Sequence, residues 1–273
     1  MLHSINSFTV PPRPRRRTRA LSGWCAFRVR CIDAEEFSGS LNRSKPRDEK
    51  HATRREQCST GCCGEALLAM RIVSVSDTHT YGRRIQVPDG DLLVHAGDLT
   101  IRGTEAEVER ELGWLGSLPH ERKILVAGNH DWFFDPQMPA RFHGYSLGRS
   151  RPIEAVLAGY PDIVYLQDSG CEVAGLKFWG SPWQPNFQDW AFNFPKTGEA
   201  IPREIWARIP NDTDVLVTHG PPRGILDEVA PGRSVGDHVL YERIRELRGL
   251  RLHIFGHIHE AYGRAERVLA SGA

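Results

Sequence analysis

Five short apolar runs organise most of the chain: RIVSVS (71–76), DLLVHAG (91–97), KILVAG (123–128), DVLVTH (214–219) and LHIFG (252–256). Each has strand length, and each is nearly continuous in apolar character. A strand with one wet face would show a polar residue at every second position, so this pattern predicts strands covered on both faces. Between some of the runs the period lengthens. Thr104 and Glu107 have the spacing of a capping box, and Val108, Leu112 and Leu115 follow at i, i+4 and i+7 on one helical face. Asp237 is placed to cap another helix, with Leu240, Ile244 and Leu247 on its buried stripe. Strands alternating with helices predict an α/β sheet.

The polar residues that close each run carry the chemistry. The first run is followed by Asp77 and His79, the second by Gly97 and Asp98, and the third by Gly128, Asn129, His130 and Asp131. The fourth ends in His219 and Gly220, and the fifth in Gly256, His257, Ile258 and His259. In an open α/β sheet the crevice at the carboxyl ends of the strands binds ligands. If the strands share a sheet, these side chains meet at one edge, and glycines 97, 128, 220 and 256 are expected to let the backbone turn tightly there. A lone histidine at a strand end is usually a satisfied structural residue, an aspartate there is usually a turn former or helix cap, and Gly128-Asn129 is a good turn pair. Asp131 aside, two aspartates, one asparagine and five histidines at five strand ends outweigh those readings taken singly. Carboxylate, amide oxygen and imidazole suit Mn, Fe, Zn or Co. Eight donors exceed one tetrahedral site and suffice for two metals sharing a bridging carboxylate.

Composition adds little for the chain as a whole: 40% hydrophobic, 25% charged and a net charge of +1 argue for no global nucleic-acid or anionic-membrane field. No apolar stretch approaches the ~18 residues of a membrane span. The averages conceal a split. Residues 1–69 hold thirteen Lys or Arg and seven Asp or Glu, with a Pro/Arg-rich run at 11–19. The remainder holds 22 basic and 27 acidic residues. Five of six cysteines also lie in 1–69, so Cys171 has no partner for a disulfide within the rest. This fits a reducing, cytoplasmic setting. The expected organisation is a disordered basic leader, 1–69, and a domain, 70–273. The leader admits a transit-peptide reading with organelle targeting, a nucleic-acid patch and a Cys58/Cys62/Cys63 metal site, each weaker than a plain solvated tail. Met70, directly before the first run, is a candidate translation start.

The blocks Asp77-Thr78-His79, Gly97-Asp98, Gly128-Asn129-His130-Asp131, Thr218-His219-Gly220 and Gly256-His257-Ile258-His259 occur in this order over residues 70–260. In this the chain resembles the calcineurin-like metallophosphoesterase superfamily. WLGSLPHERKILVAGNHD, VYLQDSG, THGPPRGILD and HIFGHIHEAYG resemble its metallophosphoesterase-domain-containing branch. The resemblance implies a four-layer α/β/β/α sandwich and a dinuclear centre of two divalent metal ions. It implies that Asp77, His79 and His259 hold one metal, that Asn129, His219 and His257 hold the other, and that Asp98 bridges them. His130 is implied to stay unliganded beside the substrate, as catalytic acid or phosphoryl contact. The implied reaction is hydrolysis of a small phosphoester by a metal-bridging hydroxide, with Mn as working metal. The branch favours phosphodiesters, cyclic nucleotides among them.

Two departures bear on these expectations. Ile101 stands where relatives of the protein-phosphatase branch carry an acid that orients the catalytic histidine. Arg102 matches an arginine position and is a candidate phosphate contact, as is Asp131, which alternatively orients His130 or caps the next segment. The chain ends fourteen residues beyond His259, so the second sheet is expected to be incomplete, with an exposed edge. His95 is expected to serve strand packing. In FWGSPWQPNFQDWAFNF (178–194), Trp183, Phe187, Trp190, Phe192 and Phe194 either pack between layers, the stronger reading, or stack a substrate ring. The acidic catalytic part shows no basic groove, which argues against a nuclease. The rival from another class is a non-catalytic metal-binding scaffold of the same fold.

Overall fold

The structure is a computed structural model that describes residues 4–10, 26–30 and 70–268. Its first sheet has five strands. β1 (Ser4–Val10) runs antiparallel to β3 (Met70–Ser76), which is followed in parallel by β4 (Leu92–Ala96), β5 (Arg122–Val126) and β8 (Ile163–Tyr165). The second sheet has six, in the order β15 (Arg264–Val268), β2 (Ala26–Arg30), β14 (Leu252–Ile254), β11 (Val215–Thr218), β10 (Leu176–Ser181) and β9 (Ser169–Val173). Its central strands β2, β14, β11 and β10 are parallel, and β15 and β9 close the edges antiparallel. Two small hairpins, β6 (Arg141–Phe142) with β7 (Tyr145–Ser146) and β12 (Glu228–Ala230) with β13 (Arg233–Ser234), project from loops.

All five runs are strands, and the reason for their continuous apolarity is visible in the layers. On β4 and β5, Leu92, Val94, Ala96, Ile124 and Val126 pack toward the second sheet, against Leu176, Phe178, Val215, Val217, Leu252 and Ile254. Their neighbours Leu93 and Leu125 point the other way, onto α1 (Glu105–Ser117) through Val108, Leu112 and Leu115. On the far side, Leu216 and Phe255 meet α3 (Ala200–Ala207) and α4 (His238–Glu246) through Ile205, Trp206, Leu240 and Ile244. Three apolar interfaces separate four layers, which is the expected α/β/β/α sandwich. A short α2 (Ile153–Leu157) follows the first hairpin.

Both anticipated caps form. Thr104 accepts from Glu107 N, at 3.3 Å, although the Glu107 carboxylate turns to Arg102 N, at 2.8 Å, so the box is half closed. Asp237 accepts from Val239 N and Leu240 N, and also from Trp206 Nε1, tying α3 to α4. Such a cap contributes about 1 kcal/mol. Two segments of the 1–69 leader, β1 and β2, are strands; β2 alternates apolar and polar over Phe27-Arg28-Val29-Arg30, a stretch too short to stand out in a polar context, and the leader's cysteines and Arg-rich run lie outside the described residues. β2 sits between β14 and β15, so the sheet continues past the last histidine block.

Candidate metal centre

The parallel strands of both sheets end at the same edge, and the loops leaving β3, β4, β5, β11 and β14 meet there. The backbone is bent sharply to bring the side chains inward. Asp77, His79, Asp98 and His257 all have φ between 43° and 73°, in the left-handed region. Each such residue costs on the order of 1 kcal/mol and persists where the surroundings over-determine it. Of the four glycines expected to turn, Gly97 has positive φ, whereas Gly128, Gly220 and Gly256 do not. Gly128 and Gly256 serve close approach instead. A Cβ on Gly128 would lie 2.3 Å from Asp98 Oδ1 and 2.4 Å from Asp98 N, and one on Gly256 would lie 2.2 Å from Asp77 Oδ2. Gly128→Ala is therefore expected to displace Asp98, lowering stability by about 1–3 kcal/mol. Thermal melts with and without Mn²⁺ check this, and the metal-induced rise in Tm should shrink with it.

Asp98 is shared between two groups. Its Oδ2 lies 3.7 Å from His79 Nε2 and its Oδ1 lies 3.4 Å from His219 Nε2. Ligand atoms of Asp77, His79 and His259 lie within 4.8 Å of one another, as do those of Asp77, Asp98 and His219. On the other side, Asn129 Oδ1 meets His219 Nε2 at 3.0 Å and His257 Nδ1 at 2.8 Å. The structure thus brings together all seven residues expected as ligands. It also groups His130 with His79 and Asp98 within the same limit.

Two of the expected ligand imidazoles are held by bonds to backbone carbonyls, which can only accept. His79 Nδ1–H donates to Thr100 O (3.2 Å) and His219 Nδ1–H to Ala96 O (3.0 Å), leaving each Nε2 for the site. Burial opposes ionisation of Asp98, yet the charges of His219 and His130 hold its carboxyl well below the usual range. Burial opposes ionisation of Asp77 too, but the hydrogen bond from His259 and the charges of His219 and His259 together lower it. Burial works to lower His219, but Asp98 lifts it to about 9, whereas burial, joined by the charge of His219, takes His257 down to about 3. Two buried carboxylates thus stay ionised and draw positive charge to themselves. A cation bound here must displace the proton on His219.

A family model described as calcineurin-like phosphoesterase matches residues 70–261. The chain belongs to the calcineurin-like phosphoesterase family. It is 44% identical over 211 residues to the human and mouse proteins named metallophosphoesterase domain-containing protein 1, covering 74% of this chain and 63% of theirs. The chain therefore spans under two thirds of those relatives' length. A UPF0046 protein of Caenorhabditis elegans is 35% identical over 209 residues, 74% of this chain and 67% of its own. A solved crystal structure superposes with a TM-score of 0.52 at 15% identity, covering 73% of this chain and 87% of that one; it supports the fold alone.

The remaining expected residues of the chain fall in different places. Asp131 is fully buried and its carboxylate is consumed internally: it accepts from Leu99 N (3.1 Å), Thr100 N (2.8 Å), Thr100 Oγ1 (2.7 Å) and Gly128 N (2.8 Å). It staples the Asp98 turn to the Asn129 turn from behind, a geometry that does not suit substrate contact. Arg102 is exposed, with its guanidinium 4.1 Å from the centroid of the Tyr145 ring. The acid missing at position 101 is replaced by backbone: His130 Nδ1–H donates to Ile101 O at 2.7 Å. No side-chain signal could announce that contact. The aromatic segment divides. Phe192 and Phe194 are core, Trp183 stacks on Phe194, and Trp190 lies against the His130 ring at 4.1 Å, with Phe187 edge-on to His257 at 5.7 Å.

Proposed function

We propose that this chain is a divalent-metal-dependent phosphoester hydrolase with a dinuclear centre, acting on a small phosphodiester. The observation that carries this reading is Asp98, whose two oxygens face histidines of two separate groups. Asp77, His79 and His259 would hold one ion, Asn129, His219 and His257 the other, and Asp98 both.

The donor set fits. With Nδ1–H of His219 committed to Ala96 O, a neutral His219 aims a lone pair at Asn129 Oδ1, 3.0 Å away. In this orientation two acceptors face each other, and a proton or a cation between them makes the contact attractive. When bound, a metal pair would supply positive charge for the phosphoryl oxygens and would lower the pKa of a water. The chain's own part is proton supply and orientation. The Ile101 carbonyl fixes the proton on His130 Nδ1, so Nε2 is the atom left to face a leaving oxygen or phosphoryl oxygen. Trp190 covers one face of that ring, and His79 meets it edge-on at 4.7 Å, so its rotation is restricted. Among the described residues no helix is long and apolar enough to cross a membrane.

Full-length chain stripped with a chelator is expected to leave a bis-nitrophenyl phosphodiester untouched and to hydrolyse it on addition of Mn²⁺, with Fe²⁺, Zn²⁺ and Co²⁺ compared in parallel. Cyclic nucleotides extend the panel. Tight metal uptake with no turnover of any phosphoester would instead favour the non-catalytic scaffold.

A further inference from the structure

Two buried histidines outside the ligand set, His95 and His253, occupy equivalent places in the two sheets. His95 lies on β4 opposite Val75 of β3, and His253 on β14 opposite Leu216 of β11. In each pair the strands are parallel and the histidine is on the later one. Period-two alternation turns both away from the central layer: Val94, Ala96, Leu252 and Ile254 face the opposite sheet. His95 is edge-on to Trp114 at 6.4 Å, and His253 meets Phe255 at 4.8 Å. Both are fully buried.

Each reaches across to a threonine beside ligands on the neighbouring strand. His95 Nε2 lies 3.0 Å from Thr78 Oγ1, and His253 Nε2 lies 2.7 Å from Thr218 Oγ1. Thr78 stands between Asp77 and His79, and Thr218 directly precedes His219. A hydroxyl has a single proton, which sets the direction of these bonds. Thr218 gives its proton to Gly220 O at 2.7 Å, so its oxygen accepts from His253 Nε2–H. Thr78 turns its proton toward Leu99 O at 3.4 Å, with the same consequence for His95. Burial lowers both imidazoles to about 3, which keeps them as neutral single donors. Along their own strands, Asp98 follows His95 by three residues and His257 follows His253 by four. Each imidazole therefore joins two adjacent ligand-bearing turns.

We infer that His95 and His253 are twin positioning residues, one per sheet, whose Nε2–H bonds to Thr78 and Thr218 hold the metal-ligand turns together. His95 sets the Asp77–His79 turn against the Asp98 turn, and His253 sets the His219 turn against the His257 turn. Each grips a threonine beside a ligand, and so acts one bond behind it. This inference rests on reading those turns as a metal centre. Bonds of this kind change metal affinity by about 10–100-fold. Apolar packing alone would not call for an N–H donor at the same place in both sheets.

The test is Mn²⁺ affinity of the full chain by equilibrium dialysis, with thermal melts of the metal-free proteins alongside. His95→Phe and His253→Phe keep an aromatic ring but lack the donor, and are expected to bind Mn²⁺ at least about tenfold more weakly. His95→Gln and His253→Gln keep an N–H near the Nε2 position and should restore most of the affinity. Thr78→Val and Thr218→Val remove the acceptor at nearly constant size and should weaken binding to the same extent. Combining Thr78→Val with His95→Phe should add no further loss. If the Phe variants do not fold, the Val variants decide. Unchanged Mn²⁺ affinity in the Val variants of a metal-binding parent overturns this inference alone. A parent that takes up no divalent metal overturns the metal-centre reading together with it.

Discussion

Replacing Asp98 by asparagine is expected to reduce turnover by more than about 10²-fold and to lower metal occupancy at both halves of the site together. The magnitude is that of losing a preorganised electrostatic group at the reacting centre. The two-sided effect comes from the geometry. One carboxylate oxygen faces His79 and the other faces His219, so an amide replaces an acceptor with N–H donors on one side and removes the charge from both. Asp98 Oδ1 also accepts from His130 N at 2.9 Å, so the variant should disturb the neighbouring turn. Metal analysis by plasma mass spectrometry, paired with phosphodiester turnover, checks the expectation. A variant that retains two equivalents of metal and parental turnover would remove Asp98 from the bridging position.

His130→Ala is expected to separate chemistry from metal binding. Its kcat should fall by about 10²–10⁴-fold, the usual contribution of a positioned acid or base, while metal content stays at the parental value. The structure makes this a sharp test, because His130 shares a 4.8 Å group with His79 and Asp98 and is close enough to ligate. Its Nδ1–H is committed to Ile101 O and its ring is flanked by Trp190 and His79, so Nε2 is the single nitrogen available. If the alanine variant loses metal along with activity, His130 is a ligand. If it turns over as fast as the parent, His130 has no part in the reaction.

Much of this was legible before the fold. A strand buried on both faces must be apolar throughout, and its loop must then supply all the polar chemistry, so the five runs and their closing residues announce an α/β sheet covered on both faces with a candidate site at one edge, while the four-layer sandwich is what the family resemblance implied. The hairpin β9–β10 was not legible, because its turn uses Ala174 and Gly175, both at positive φ, in place of an Asn-Gly signal. The strands β1 and β2 were hidden in a polar, basic context and gain their place from pairing with β3, β14 and β15.

The sequence by itself determined which donor atoms exist and in what order they leave the strands, since hydrophobic period and residue type are local properties. Tertiary structure alone decided how those atoms are held: Asp131 behind the site, Ile101 O orienting His130, Gly128 and Gly256 giving room, Trp190 on the imidazole, and His95 and His253 gripping threonines on neighbouring strands. These are contacts through backbone atoms and across strands far apart in the chain, and a carbonyl or an excluded Cβ leaves no mark on residue type.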